Sequence, residues 1–456
     1  MTTAKATEPA RRTGAVAVMV IVLALAAALA AALAAWTATV AMGVLNGWGR
    51  TVLAARGDTR AFMRAASHKL DADARGNVAF ALIDHGRVYG EHFVSHGRPV
   101  HRDTLFQVAS LSKWITAWGV MSLVDAGRID LDAPVSRYLT RWHLPPSAYG
   151  NDGVTVRRLL SHTAGLTDGL GYGGFAPGAT PQTLEQSLTH ASDASPGRDG
   201  AVHVGIEPGA EWRYSGGGYT LLQLIIEEVT GEAFNNYMQR AVLQPLGMTH
   251  STFELPNDAS AEVADFFALD GTRATHYQFT AKAAASLYTS SADLTRFIQA
   301  HLPGPNGARP GRGVLRPATL IAMRQPHAAR YGADIWGLGV ILFAPNNPSA
   351  ANNPSAGKNG TEPDGYIIGH DGNNDPAINT AARFDPATGD GIVVLETGNK
   401  LLATELAGDW VFWQSGNVDL FDVLNAMPRA LIVLGAGYLV IVIGGVLAVR
   451  HHRRMA

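Results

Sequence analysis

The chain has no cysteine, which excludes disulfide cross-links, thiolate metal sites and a cysteine nucleophile and leaves stability to the packed core. Charge is scarce as well. Charged residues make up 16% of the chain and the two signs nearly cancel, at a formal net charge of -2, so no electrostatic footprint for nucleic acid or a polyanionic partner is present. Histidine pairs with metal-ligand spacing are also lacking, since His451 and His452 sit among Arg450, Arg453 and Arg454 and read as part of a charged tail. Neither a metal nor an organic cofactor is implied. At 456 residues the chain is longer than one average domain, which leaves one or two folding units open.

The places where charge is missing altogether carry the first positive signal. Residues 13–49 contain no charge, and residues 15–35 are Ala, Val, Leu and Ile with one Met, long enough for a hydrocarbon core that needs about 20 residues. The apolar core of a cleaved signal peptide, roughly 7 to 15 residues, would be shorter, so this stretch reads as an uncleaved anchor. Residues 430–449 are again uncharged, between Arg429 and the Arg/His tail. Lys5, Arg11 and Arg12 at one end and the tail at the other place both termini on the cytoplasmic side by the positive-inside rule. The expected organisation is a cytoplasmic N-terminus (1–14), a spanning helix (15–37), a linker (38–75), a globular domain (76–415), a juxtamembrane linker (416–429), a second spanning helix (430–449) and a basic tail (450–456).

Within the globular part, residues 77–83 and 87–94 are apolar-rich runs separated by Asp84-His85-Gly86, the pattern of a β-hairpin. Leu111, Trp114, Ile115, Trp118 and Met121 recur at helical spacing up to Gly127, which supplies the positive φ of a helix C-terminus. A Gly- and Pro-rich middle follows, with helical stretches at 156–160, 219–229, 234–242 and 292–301. Strand-like runs return at 336–343, 365–368, 377–384 and 391–396, with a turn at 386–391. Strands at both ends and helices between them imply one sheet closed by sequence-distant segments. The repeated Asn-Asn-Pro-Ser-Ala at 346–350 and 352–356 is a polar low-complexity loop.

A serine hydroxyl is a poor nucleophile at neutral pH and needs a base within hydrogen-bond reach together with donors for a developing oxyanion. Ser110-Leu111-Ser112-Lys113 places a serine at a helix N-terminus and a lysine one turn later on the same face. Phe106, Val108, Trp114 and Ile115 around it predict burial that disfavours the ammonium and leaves a neutral, basic amine.

Several segments in order resemble the serine β-lactamase and penicillin-binding-protein family, in particular the branch of class C β-lactamases, D-amino-acid peptidases and related esterases. Residues 106–113 resemble its nucleophile segment, 155–166 (Thr-Val-Arg-Arg-Leu-Leu-Ser-His-Thr-Ala-Gly-Leu) a segment typical of the branch, and 207–217 its Pro-Gly…Tyr-Ser motif. Residues 244–248, 287–297 and 369–372 continue the likeness, which covers roughly 76–413. The resemblance implies an α+β fold of β-lactamase/transpeptidase type: an antiparallel sheet with flanking helices and a mostly helical subdomain, here with two transmembrane helices added. It implies Ser110 as nucleophile, Lys113 as base and Tyr214 as the third catalytic residue, relaying a proton to the leaving group. It also implies His370, Gly372 and Asn373 beside the substrate, with the N–H groups of Ser110 and Asn373 as oxyanion hole. The setting would be a bacterial inner membrane with the hydrolase outside, acting on a small-molecule, peptide or ester substrate.

A Ser/His/Asp triad built on Ser161 or Ser215 with His162 is rejected, because neither serine stands in Gly-x-Ser-x-Gly spacing; His162 is read as structural. Two departures from the family bear on substrate. Its Tyr-x-Asn is Tyr214-Ser215-Gly216 here, and the lysine of its Lys-Thr-Gly is His370, mostly neutral at pH 7. Loss of an amide and of a permanent cation points to an esterase or relaxed peptidase rather than an efficient β-lactamase. The alternative is an acylated or non-catalytic sensor of cell-wall ligands or β-lactams.

Overall fold

The computed structural model describes residues 8–48, 50–169, 171–255, 262–330, 332–346 and 365–455. The loop at 346–364, whose position relative to the cleft is of interest, lies outside the described residues apart from Asn346. Val52–Leu420 form one compact unit, and the two chain ends form another.

After the N-terminal helix α1 (Glu8–Asn46), the large unit opens with α2 (Thr59–Asp73), capped by Asp58, which accepts the N–H of Ala61. Phe62, Ala66 and Leu70 make a buried stripe at i, i+4 and i+8, and the Phe62 ring lies 4.7 Å from that of Trp413. The segment expected as a linker therefore belongs to the globular unit, which begins well before residue 76. Its overall polarity hid the stripe.

The hairpin is β1 (Val78–Asp84) and β2 (Arg87–Val94); His85 and Gly86 adopt φ of 50° and 75° in the turn, as a two-residue hairpin of this twist requires. Short strands β3 (Phe106–Gln107), β4 (Phe266–Phe267), β5 (Arg273–Ala274) and β6 (Tyr288–Thr289) pair β3 with β6 and β4 with β5. The helices of the middle are α3 (Ser112–Asp125), α4 (Val156–Leu160), α5 (Leu184–His190), α6 (Gly216–Thr230), α7 (Phe234–Met238), α8 (Lys282–Ala285), α9 (Ser291–Ala300) and α10 (Pro317–Met323). Thr155, Thr183, Ser215 and Ser290 cap four of them with their side-chain oxygens. The helix expected over 234–242 changes to a wider π-turn at Gln239–Leu243.

Strands β7 (Ala328–Arg330), β8 (Ala333–Trp336), β9 (Ile341–Pro345), β10 (Tyr366–Asn374), β11 (Ile378–Phe384) and β12 (Gly391–Thr397) complete an antiparallel sheet ordered β2-β1-β12-β11-β10-β9-β8-β7. The run expected as one strand over 336–343 is two, because Gly337 donates to the Val340 carbonyl and Gly339 takes a φ of 82°. Every residue of β11 and β12 is buried. Helix α9 packs on β1 and β12, α3 on β10, and α11 (Leu402–Ser415) on β11 and β12. Helix α11 went unread because it is apolar on nearly all sides and shows no helical stripe.

In the smaller unit, α12 (Leu420–Met455) runs antiparallel to α1. The Trp36 ring fills the space above Gly437 and its Nε1 donates to the Leu434 carbonyl at 3.3 Å. Thr37 and Tyr438 share a 2.5 Å hydroxyl hydrogen bond, and Arg50 pairs with Asp422 at 2.6 Å. Met19–Leu45 and Phe421–His451 are long and apolar enough to cross a membrane.

Candidate active site

Ser110 lies in a single 3-10 turn, Ala109–Leu111, that leads into α3. The residue before it, Ala109, adopts φ 47°, a conformation that an L-residue holds only when its surroundings impose it. Those surroundings are β10 and α8, which both pack on the turn.

One helical turn on, Lys113 is buried, with 1% of its surface exposed. Its Nζ lies 3.2 Å from Ser110 Oγ and donates to the Ala284 carbonyl at 2.8 Å, and the rings of Tyr214 and Tyr219 stand 5.0 and 5.5 Å away. Burial lowers its pKa from 10.5 to about 7, against an opposing pull from the Asp168 carboxylate. Burial raises the Tyr214 phenol, with Ser110 close enough to pull it the other way. Thus three residues expected from the sequence meet around one hydroxyl: a serine, a half-neutral amine and a protonated phenol.

The strand residues fall differently. His370 is 1% exposed, its Nδ1 lies 2.6 Å from the Asp371 carbonyl, and Trp336 covers it edge-on at 5.5 Å. Burial, then the Lys113 charge, push its pKa down to about 3, so the ring is neutral and is not displayed to solvent. Gly372 is needed for a reason other than substrate approach: a Cβ there would come within 2.0 Å of the Val108 carbonyl. Asn373 is exposed, and its side chain donates to the Lys400 carbonyl at 2.5 Å. Beyond Gly369, β10 has no pairing with β9, which leaves the edge of residues 370–374 next to the Ser110 turn without a strand partner among the described residues.

Other features were not read from the sequence. Asp168 is buried, accepts from Ser215 Oγ at 2.5 Å and from the Gly217 N–H at 2.8 Å, and burial raises its pKa to about 6. Ser215 is thereby the cap of α6 and an Asp168 ligand, in keeping with its rejection as a nucleophile. His162, at φ 57°, accepts the Ser215 N–H on Nδ1 and stacks on Tyr214 at 4.3 Å. Burial holds it well below the usual imidazole range, a structural role as expected. Where the family has an asparagine, a Cβ on Gly216 would meet the Tyr172 ring at 3.0 Å, so that ring occupies the room an amide would use.

Asp168 gives a testable electrostatic consequence. Its charge favours the ammonium form of Lys113, so Asp168→Asn, which keeps one oxygen for the Gly217 N–H and turns an amide N–H toward Ser215 Oγ, should lower the Lys113 pKa further. The acid limb of the pH-rate profile should then move to lower pH; a limb that stays in place would remove Asp168 from the electrostatics of the lysine.

Comparison with known proteins places this geometry. The beta-lactamase family profile matches residues 62–411. Protein flp of Staphylococcus aureus is 25% identical over 251 residues, 52% of this chain and 48% of that one. Penicillin-binding protein 4* of Bacillus subtilis is 32% identical over 174 residues, 37% and 35% of the two chains. The chain thus spans about half or less of these curated relatives. The beta-lactamase/D-alanine carboxypeptidase of Pseudomonas syringae superposes with a TM-score of 0.58 at 18% identity, covering 80% of this chain and 98% of the other, a likeness of fold. With most of the large unit covered by the family profile and the same fold in a solved relative, the chain belongs to the beta-lactamase family of serine hydrolases.

Proposed function

We propose that the protein is a membrane-anchored serine hydrolase that cleaves an ester or amide through an acyl-enzyme on Ser110. The observation that carries this reading is the buried Lys113 amine 3.2 Å from Ser110 Oγ. With a pKa near 7, about half of it is a free base at neutral pH, the condition for efficient proton abstraction. Ser110 Oγ bonds to the carbonyl carbon as its proton passes to Lys113, and the N–H groups of Ser110 and Asn373 hold the oxyanion. Tyr214 passes a proton to the departing alcohol or amine as its bond to carbon breaks. Water then adds to the acyl carbon, gives its proton to the same pair, and Ser110 Oγ leaves reprotonated.

A neutral His370 and the absence of the family's amide after Tyr214 favour esters, which need less help from the leaving-group acid, over β-lactams. The two apolar helices, with basic residues outside each of them, support anchoring in a bacterial inner membrane, both termini cytoplasmic and the catalytic unit outside.

The test is turnover by the full chain in detergent of a short-chain 4-nitrophenyl ester, a chromogenic cephalosporin and a D-alanyl dipeptide, with intact-mass detection of the acyl adduct. Ester turnover and an adduct, both absent in Ser110→Ala, are expected. Turnover that survives Ser110→Ala would overturn the mechanism, cephalosporin turnover without ester turnover would overturn the substrate preference, and an adduct lasting hours would favour a sensor.

A further inference from the structure

The β1–β2 turn, the β11–β12 turn and the C-terminal end of α9 enclose a surface cavity of about 810 Å³. Among the described residues its lining holds three arginines, Arg87, Arg296 and Arg312, and no aspartate or glutamate. Arg312 donates to the carbonyls of Gln299, Leu302, Ala308 and Arg309 and to no carboxylate among the described residues. Its charge is therefore held in place without being cancelled, and burial lowers its pKa. Arg87 is exposed and has no ion-pair partner among the described residues. The carboxylates of the two turns, Asp84 and Asp390, meet His85 instead, at 3.3 and 3.2 Å. Arg296 gives one nitrogen to Asp293 at 2.5 Å. The cavity is thus a local excess of positive charge in a chain whose formal net charge is -2.

Its walls are braced against one another. Gln299 Nε2 donates to the Gly86 carbonyl at 3.0 Å and the Gly86 N–H to the Gly389 carbonyl at 2.8 Å, which joins α9 to both turns. A Cβ on Gly304 would meet the Arg312 guanidinium at 2.6 Å, so the glycine gives that arginine its room. Pro245, Leu246, Leu302 and Pro305 add apolar surface to the same lining. The cavity also lies beside the two ends of the large unit. Gln414 Nε2 donates to Asp390 at 2.8 Å and to Thr388, a lining residue, at 3.4 Å. Trp413 Nε1 donates to the Ala55 carbonyl and Arg56 to the Gln414 carbonyl, each at 2.8 Å. From these contacts only residues 46–54 and 415–420 separate the unit from its two apolar spans, and the shorter connection extends at most about 20 Å.

We infer that this cavity binds the phosphodiester headgroup of an anionic membrane phospholipid, with Arg87 as its contact residue and Arg296 and Arg312 supplying the rest of its positive charge. The inference rests on the membrane-anchored reading above and names a partner for a surface that the chemistry at Ser110 does not use. Guanidinium groups suit a phosphate because they donate parallel N–H bonds to two of its oxygens and stay charged at any working pH. The apolar part of the lining suits the glycerol and first acyl carbons of a lipid and has no counterpart in free phosphate. A zwitterionic lipid would bring its own cation into a cavity that offers it no carboxylate. Two short tethers keep the concentration of headgroups near the cavity high, so that weak individual contacts suffice.

Native mass spectrometry of the full chain in a neutral detergent, titrated with phosphatidylglycerol or phosphatidylcholine, tests this. Phosphatidylglycerol should bind about tenfold more tightly, and Arg87→Glu should weaken it by about tenfold while leaving phosphatidylcholine unchanged. Arg87→Gln, with half the change in charge, should lie between. Arg64→Glu, the same charge change on an exposed position of α2 outside the cavity, should bind phosphatidylglycerol like the wild type. Equal binding of the two lipids, or equal effects of Arg87→Glu and Arg64→Glu, would overturn the site and leave the lipid to basic residues elsewhere. Displacement of phosphatidylglycerol by an equal concentration of inorganic phosphate would make it a site for free phosphate instead. Flotation separates this inference from the anchoring on which it rests, since wild type and Arg87→Glu should both float with phosphatidylcholine vesicles through their apolar helices. If neither floats, the anchoring fails, while a phosphatidylglycerol preference that needs Arg87 still supports the site; if both float and the preference is absent, only the site fails.

Discussion

Lys113→Met should lower kcat/KM for an activated ester by about 10³-fold and at the same time make the folded protein more stable. Both effects follow from burial. The amine is 1% exposed, and its pKa falls from 10.5 to about 7, so the ammonium form is less comfortable in the folded protein than in the unfolded chain by several kcal/mol, at about 1.4 kcal/mol per pKa unit. The sign sets the pH window. Below pH 7 the lysine is protonated in both states and the folded protein bears the whole penalty; between about 7 and 10.5 only the unfolded chain binds the proton, and the penalty fades as pH rises. Methionine has similar length and no charge to desolvate, though it gives up the hydrogen bonds to Ser110 and the Ala284 carbonyl. A gain on the order of 1–3 kcal/mol at pH 6 is expected, shrinking by pH 9, and thermal unfolding at the two pH values measures it. A less stable, inactive variant would mean that the lysine is retained for packing rather than for chemistry.

The second large effect is expected on the opposite face of β10. While His370 and Gly372 face the Ser110 turn, Asp371 pairs with Arg383 at 2.6 Å, and Arg383 also bonds Asp419; Arg383 and Asp419 are buried and the Asp371 side chain is largely so. The guanidinium lies 3.9 Å from the centre of the Phe343 ring as well. Arg383→Met leaves two carboxylates in the interior without their shared cation, and should cost about 3–5 kcal/mol. Burial already raises the Asp371 pKa, and Arg383 holds it down; without the arginine the carboxyl should protonate more readily. The destabilisation should therefore be largest at neutral pH and smaller at pH 5. Adding Asp371→Leu and Asp419→Leu should restore much of the loss, since an apolar cluster of similar volume needs no compensation. Chemical unfolding of the single and triple variants decides this, and an unaffected single variant would show the network to be solvated.

How much of this was legible beforehand depended on whether the signal was local. The Ser110/Lys113 spacing, the hairpin around His85-Gly86, α3 with Gly127 after it, and the strands near the C-terminus all have short-range patterns that alternation and turn chemistry reveal. Helix α11 did not, because it is apolar nearly all round; the polar connection around 50–69 reads as a short helix, but its buried stripe, which packs α2 into the globular unit, does not stand out in so polar a sequence. Asp168 and Trp336 are ordinary residues in the sequence and gain meaning only when distant segments bring them to Lys113 and Tyr214. The substitution at His370 was visible, but its burial beneath Trp336 was not. Gly372 was singled out for the approach of substrate, whereas the group that excludes a side chain there is the Val108 carbonyl from another part of the chain.

The pairing of β1 with β12 joins Val78 to Glu396, and β10, which walls the Ser110 turn, follows that serine by more than 250 residues. During synthesis, then, a growing chain carries its serine and lysine long before it carries the strand beside them. Such distant pairings also form slowly, because much chain must be closed before they repay it. The hydrolase is expected to be inert as a nascent polypeptide and to gain its activity only after nearly all of the chain has emerged, which delays exposure of a reactive serine until the surrounding cleft is complete.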